Sequence, residues 1–123
     1  AYTKYAQEQM VETMCSAMDI DFTIFRFQNV YGVGQSLKNP YTGILSVFSS
    51  LLLENEPINI FEDGNESRDF INVKDVASAV IQSLSCPETN GEIINIGSGK
   101  GTSVLEIASI LKHLYCSKSE IHI

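Results

Sequence analysis

From Tyr2 to Met18 the apolar residues Tyr2, Ala6, Met10 and Met14 recur every fourth position, with Val11 and Cys15 beside them. Side chains four apart share one face, so the spacing predicts an amphipathic helix. Asp19 to Asp21 break the period, and Phe22 to Phe27 form a β-branched and aromatic run short enough for a buried strand. A helix feeding a largely apolar strand predicts an α/β fold with a parallel sheet. Gln28 to Tyr41 contains Gly32, Gly34, Asn39 and Pro40 and is expected to be a long loop. Loops of that length in compact domains are often functional.

Helical spacing returns from Gly43 to Glu54 through Ile44, Val47, Phe48, Leu51 and Leu52, and Asn55 to Pro57 end it. Ile58 to Phe61 predicts a short strand, Glu62-Asp63-Gly64-Asn65 a turn, and Asp69 to Val73 another extended piece. Asp75 is expected to cap a helix reaching Leu84, because its carboxylate can accept amide hydrogens of the first turn. Pro87 and Gly91 mark a loop before a strand at Glu92 to Ile96, and Gly97-Ser98-Gly99-Lys100-Gly101 follows as a glycine-rich turn. Ser103, three residues before Glu106, makes a capping box for a helix reaching Tyr115, with Leu105, Ile107, Ile110, Leu111 and Leu114 on its apolar side. Glu120 to Ile123 reads as the start of one more strand.

A length of 123 residues suits one domain with a modest core. The formal net charge of −7 speaks against nucleic acid, whose binders need a clustered basic surface to displace counterions. A small anion needs only a local cation, and Lys4, Arg26 and Arg68 are the candidates, the last two being the only arginines. No apolar run approaches the roughly 20 residues of a membrane-spanning helix, so the expected setting is cytoplasmic. Cys15, Cys86 and Cys116 are odd in number and lack Cys-x-x-Cys spacing, which argues against a disulfide framework and against a metal site.

Four segments carry candidate chemistry. Lys4 has the place of the lysine in a Tyr-x-x-x-Lys pair whose tyrosine would stand immediately before Ala1; one helical turn apart, an ammonium favours the phenolate. The alternative is a solvated charge at a helix start. Gln28 and Asn29 follow the first strand, where open α/β sheets place ligands, and their amides can both donate and accept; otherwise they satisfy loop backbone. Gly97 to Gly101 fits neither a P-loop nor a dinucleotide fingerprint and reads first as a structural turn, with backbone contact to a ligand as the alternative. Arg68 sits among Glu62, Asp63, Glu66 and Asp69, so it either pairs with Glu66 or Asp69 or offers its guanidinium fork to a diphosphate. Phe61 is either core or a platform for a base, and His113 and His122 show no nearby carboxylate or nucleophile pattern.

Taken in order, Lys4-Tyr5-Ala6-Gln7-Glu8, Arg26 to Gln35, Asn39 to Ile44, Phe61 to Gly64, Arg68-Asp69-Phe70 with Asp75-Val76-Ala77, and Asn95-Ile96-Gly97 resemble the extended short-chain dehydrogenase/reductases, specifically the NAD-dependent nucleotide-sugar epimerases and dehydratases. The resemblance covers essentially the whole chain, and Gln35 to Ile44 is most similar to the dTDP-sugar 4-epimerases. It implies an α/β fold, the C-terminal part of a Rossmann-like domain joined to a small substrate-binding domain. Residues 1–27 would close the NAD-binding domain, and 28–123 would be mainly substrate-binding, with segments returning to the Rossmann-like sheet.

The resemblance further implies that Lys4 hydrogen-bonds the nicotinamide ribose of NAD, with NADP as the alternative cofactor, and lowers the tyrosine's pKa. Phe27 and Gln28 would lie near the nicotinamide, and Asn29, the Thr42-Gly43 backbone and Arg68 would hold the diphosphate of a dTDP- or UDP-sugar. Asn59 to Phe61 would flank the base. The implied reaction passes through a 4-keto sugar. The chain lacks the glycine-rich strand-turn-helix for the NAD pyrophosphate, the tyrosine and its serine or threonine partner, so by itself it is expected to be inactive. With apolar faces and a sheet edge uncovered, it is expected to form a homodimer or domain-swapped oligomer. A dehydratase or reductase of the same family, or a non-catalytic sensor or interaction module, are the competing expectations.

Overall fold

A computed structural model describes residues 2–37 and 43–123. In chain order the elements are α1 (Tyr2–Met18), β1 (Ile24–Phe27), β2 (Asn29–Tyr31), α2 (Ile44–Glu54), β3 (Ile58–Asn59), β4 (Ser67–Asn72), α3 (Val73–Ser83), β5 (Ile93–Ile96), β6 (Gly101–Ser103), α4 (Val104–Leu114) and β7 (Ile121–His122), with a 3-10 turn at Pro87–Thr89. The chain divides into two compact units, one of residues 1–27 and 74–96, the other of 28–73 and 97–123.

In the first unit β1 and β5 pair in parallel, Ile24 opposite Ile93 and Phe27 opposite Ile96. The segments leading into them are tied by polar contacts: Gly91 donates its amide to the Phe22 carbonyl at 2.7 Å, and the Thr23 hydroxyl donates to the Thr89 carbonyl at 2.8 Å. Arg26 holds α1 to β1 through a two-pronged pair with Glu8, Nε to Oε1 at 2.8 Å and Nη2 to Oε2 at 2.6 Å. The fork matches the carboxylate in plane, which a lysine could not reproduce. The periodic face predicted for α1 exists, yet Met10, Val11, Met14 and Met18 are exposed and the helix buries no residue.

The second unit holds the main core. Phe48 and Leu52 from α2, Ile58 and Ile60 from and after β3, and Ile107 and Ala108 from α4 form one buried cluster, with Phe70, Leu105 and Ile121 packed against it. Phe48 and Leu52 are four apart; on α4 the predicted Ile107 is buried beside Ala108, whereas Ile110 and Leu114, also predicted on the apolar side, are exposed. Ile58 is fully buried, and β3 is fixed by its parallel partner β7, with Ile58 opposite Ile121. The α2 helix ends at Asn55, in the left-handed region at φ 57°, whose amide bonds the last carbonyls. Asparagine tolerates that conformation better than most residues.

Four local expectations are corrected. The stretch expected to be loop from Gln28 begins with β2, which pairs in parallel with β4, Asn29 opposite Phe70 and Tyr31 opposite Asn72. Three residues are too few to show a period, and pairing creates this strand rather than pattern. Gly101 is not the end of a turn but the first residue of β6, antiparallel to β4, so the strand pairing is mixed. Asp75 lies inside the first turn of α3, which starts at Val73, rather than at its cap. His122 does have a carboxylate nearby, its Nε2 being 3.3 Å from Glu120 Oε2. Ser103 caps α4 as predicted, its hydroxyl accepting the Glu106 amide at 3.1 Å.

Candidate functional site

Strand β4 is central in the second unit, with β2 on one side and β6 on the other. Asp69 lies opposite Gly101, and its carboxylate reaches the glycine-rich turn. Oδ1 accepts the Ser98 hydroxyl at 2.6 Å and the Ser98 amide at 2.9 Å; Oδ2 accepts the Gly99 amide at 2.9 Å. The Ser98 hydroxyl first, then these amides, hold the Asp69 carboxyl below its ordinary value, since each bond favours the charged form. The glycine-rich turn is thus held by a carboxylate of the same chain, as a structural turn would be. Glycine is required at its first position. A Cβ on Gly97 would collide with Asp69 Oδ2 and come within 2.9 Å of Gln28 Cγ.

Gln28 and Asn29 stand at the entry to β2 and are exposed. Together with Gln35, Gly43, Ile44 and Phe70 they line a concavity of about 320 Å³ at the start of α2. Gly43 is the N-cap residue and contributes no side chain over the first turn. The first amides of a helix lack intrahelical partners and favour anions, so this opening is suited to an acceptor-rich group. Gln35 approaches closely, its Nε2 lying 3.7 Å from where a Gly43 Cβ would be. Thr42, paired with Gly43 in the sequence expectation, lies outside the described residues. Gln35 was missed as a site residue because nothing in a glycine-rich, non-periodic stretch marks which amide turns inward.

Arg68 does not line that concavity among the described residues. Its Nη2 pairs with Glu66 at 2.9 Å and its Nη1 donates to the Ser67 carbonyl at 3.1 Å, with its side chain about half exposed. Residues two apart on a strand share a face, so Arg68 leaves β4 on the same side as Phe70, the residue opposite Asn29. The ion pair with Glu66 is solvent-exposed and costs only about 0–1 kcal/mol to break. Farther along the unit, Asn59 is exposed in β3 and Phe61, just past it, is 89% exposed. Phe61 is therefore not core in this chain.

In the first unit Phe27 ends β1, half exposed, with its ring stacked on Phe25 at 6.0 Å between centroids and 15° between planes. Phe27 thus stands at the carboxyl end of a parallel strand, the side on which open α/β sheets bind ligands. Lys4 is exposed in the first turn of α1, and among the described residues no carboxylate pairs with it. Arg26 is the opposite case, held to Glu8, whose carboxyl the Arg26 bond keeps below its ordinary value. Of the three cations named from sequence, Arg26 is engaged within the fold, Arg68 is weakly engaged and Lys4 is open. An exposed ammonium and a half-exposed ring are chemically compatible with a pyridine nucleotide. Among the described residues no group of histidines, cysteines and carboxylates could hold a metal ion, and no helix is long and apolar enough to cross a membrane.

Residues 1–97 match the family described as NAD dependent epimerase/dehydratase family. The chain is 43% identical over 113 residues to dTDP-L-rhamnose 4-epimerase of Burkholderia thailandensis, an alignment covering 92% of this chain and 31% of that protein. It is similar to the solved UDP-glucose 4-epimerase of Thermotoga maritima with UDP-glucose, at a TM-score of 0.90 and 30% identity over 97% of this chain and 38% of that one. It is also similar to UDP-glucuronic acid 4-epimerase of Bacillus cereus, solved with UDP-glucuronic acid and NAD, at a TM-score of 0.86 and 27% identity over 98% of this chain and 38% of that one. The chain spans about a third of the length of the curated relatives it matches, 31% and 35% of the first two.

Proposed function

Because this chain belongs to the NAD dependent epimerase/dehydratase family, we propose that the full-length protein is an NAD-dependent nucleotide-sugar 4-epimerase whose substrate is held largely by the second unit. The observation that carries this reading is the meeting of Gln28, Asn29 and Gly43 in one concavity at the start of α2, beside the strand that bears Arg68. Asn29 would donate to the diphosphate together with the first amides of α2. Arg68 would release Glu66 and place two parallel bonds on the phosphate oxygens, a gain of about 1.5–3 kcal/mol against the small cost of the exposed pair. Asn59 and the exposed ring of Phe61 would meet the base by hydrogen bonding and stacking.

Residues 1–27 and the strand-forming returns would belong to the cofactor side, and 28–123 otherwise to the substrate side. NAD, with NADP as the alternative, would supply the hydride acceptor and donor for C4, so that a 4-keto sugar would intervene. Lys4 would donate to the nicotinamide ribose and favour the phenolate of a tyrosine immediately before Ala1, which takes the sugar hydroxyl proton. Phe27 and Gln28 would border the nicotinamide. The 123 residues by themselves would not turn over substrate.

Incubating the full-length protein with dTDP- and UDP-hexoses and following C4 by NMR tests the reaction. Inversion at C4 is the expected product. Loss of water or net reduction would move the protein to the dehydratases or reductases of the same family, and a protein that neither binds nor converts a nucleotide sugar would be a sensor or interaction module. Lys4→Met should lower turnover by about 10²–10⁴-fold while leaving nucleotide-sugar binding by the second unit intact.

A further inference from the structure

The carboxylate of Asp69 is spent on three bonds to a turn that the proposed site does not itself use. We propose that Asp69 is a positioning residue, a latch that fixes the diphosphate clamp through its neighbour Arg68; the proposal rests on the reading of Arg68 as a diphosphate ligand. Adjacent strand residues point to opposite faces, so when one is anchored the other's departure angle is set. Asp69 is anchored by the Ser98 hydroxyl and by the amides of Ser98 and Gly99. Arg68 is one residue away, opposite Thr102, in the strand that the latch holds.

The latch acts on the other side as well. Gly97 leaves room for only a hydrogen between Asp69 Oδ2 and Gln28 Cγ, so the turn, β4 and the entry to β2 meet at one point. Gln28 is followed by Asn29, which pairs with Phe70, next to Asp69. One carboxylate therefore sits between the arms that carry the guanidinium and the two amides. A neutral amide at position 69 has one oxygen where the carboxylate has two, and cannot accept from both Ser98 and Gly99 without presenting its own donors to a donor. The turn would detach from one edge of the latch, and Arg68 would keep its charge but lose its fixed origin.

The test is a double-mutant cycle on the full-length protein, reading UDP and dTDP affinity by calorimetry for wild type, Arg68→Ala, Asp69→Asn and the double variant. A latch acting through Arg68 predicts that Asp69→Asn weakens binding about fivefold in the wild type and less than about twofold once Arg68 is gone. Equal losses in both backgrounds would assign Asp69 to general stability and overturn the proposal, as would no loss in either. If Arg68→Ala itself leaves affinity unchanged, the diphosphate reading fails and the latch with it. If Arg68→Ala weakens binding and Asp69→Asn does not, the latch alone fails. Ser98→Ala, which removes one of the three bonds, gives the same cycle at smaller amplitude and serves if Asp69→Asn does not fold.

Discussion

Asp69 and Ser98 are joined twice, once through the Ser98 hydroxyl at 2.6 Å and once through its amide at 2.9 Å, both to the same carboxylate oxygen. These bonds keep the carboxyl below the ordinary 3.8. The unfolded chain then binds this proton more tightly than the folded one, so the contact's stabilisation is complete above the unfolded value and is lost as pH falls through the depressed folded value. Ser98→Ala removes the largest contribution and should move the Asp69 titration, followed by carboxyl ¹³C NMR, up toward 3.8. A titration unchanged by the substitution would show that the hydroxyl does not act on the carboxylate.

Gly97→Ala should destabilise the second unit by about 1–3 kcal/mol, because the added methyl has Asp69 Oδ2 on one side and Gln28 Cγ on the other. Urea unfolding of the variant against wild type measures it. The opposite pattern holds at Gly99, where an added Cβ meets nothing within 4 Å, and only its φ of 77° opposes a side chain.

Ile58→Ala should cost about 2–5 kcal/mol, since Ile58 is fully buried in the α2–α4 cluster and its removal leaves a cavity. Leu53→Ala, on the same helix system but 56% exposed, should change stability by no more than about 0.5 kcal/mol. Denaturant midpoints at matched slopes separate the two.

The 123-residue chain should self-associate. Met10, Val11, Met14 and Met18 form an exposed apolar strip along α1 with Ile20 beyond it, and an apolar strip left open to water favours association. Light scattering should show dimers or larger species, and Met14→Glu with Met18→Glu should shift them toward monomer. A wild-type chain that stays monomeric at high concentration contradicts this.

Long elements with a clear period were legible in the sequence. The α1, α2 and α4 helices follow their apolar spacing, and the Ser103 cap of α4 is where Glu106 predicts it. The short strands β3 and β7 were legible as well, but β2 and β6 were not, because they hold three residues each and exist through their partners. In the site, Gln28 and Asn29 could be named from their place after a strand, whereas Gly43 was named only through the family resemblance. The role of Asp69 could not, since sequence offers Arg68 as its neighbour and says nothing of Ser98, twenty-nine residues on. Arg68 was readable as either a surface pair or a ligand fork, and in this structure it makes the pair with Glu66.

The most direct test of the central claim is calorimetric titration of the full-length protein with a UDP- or dTDP-sugar, comparing wild type with Arg68→Ala. A guanidinium that grips the diphosphate predicts a loss of about 1.5–3 kcal/mol, tenfold or more in affinity, with the fold intact. Affinity unchanged by the substitution would contradict the account and leave Arg68 as no more than the partner of Glu66.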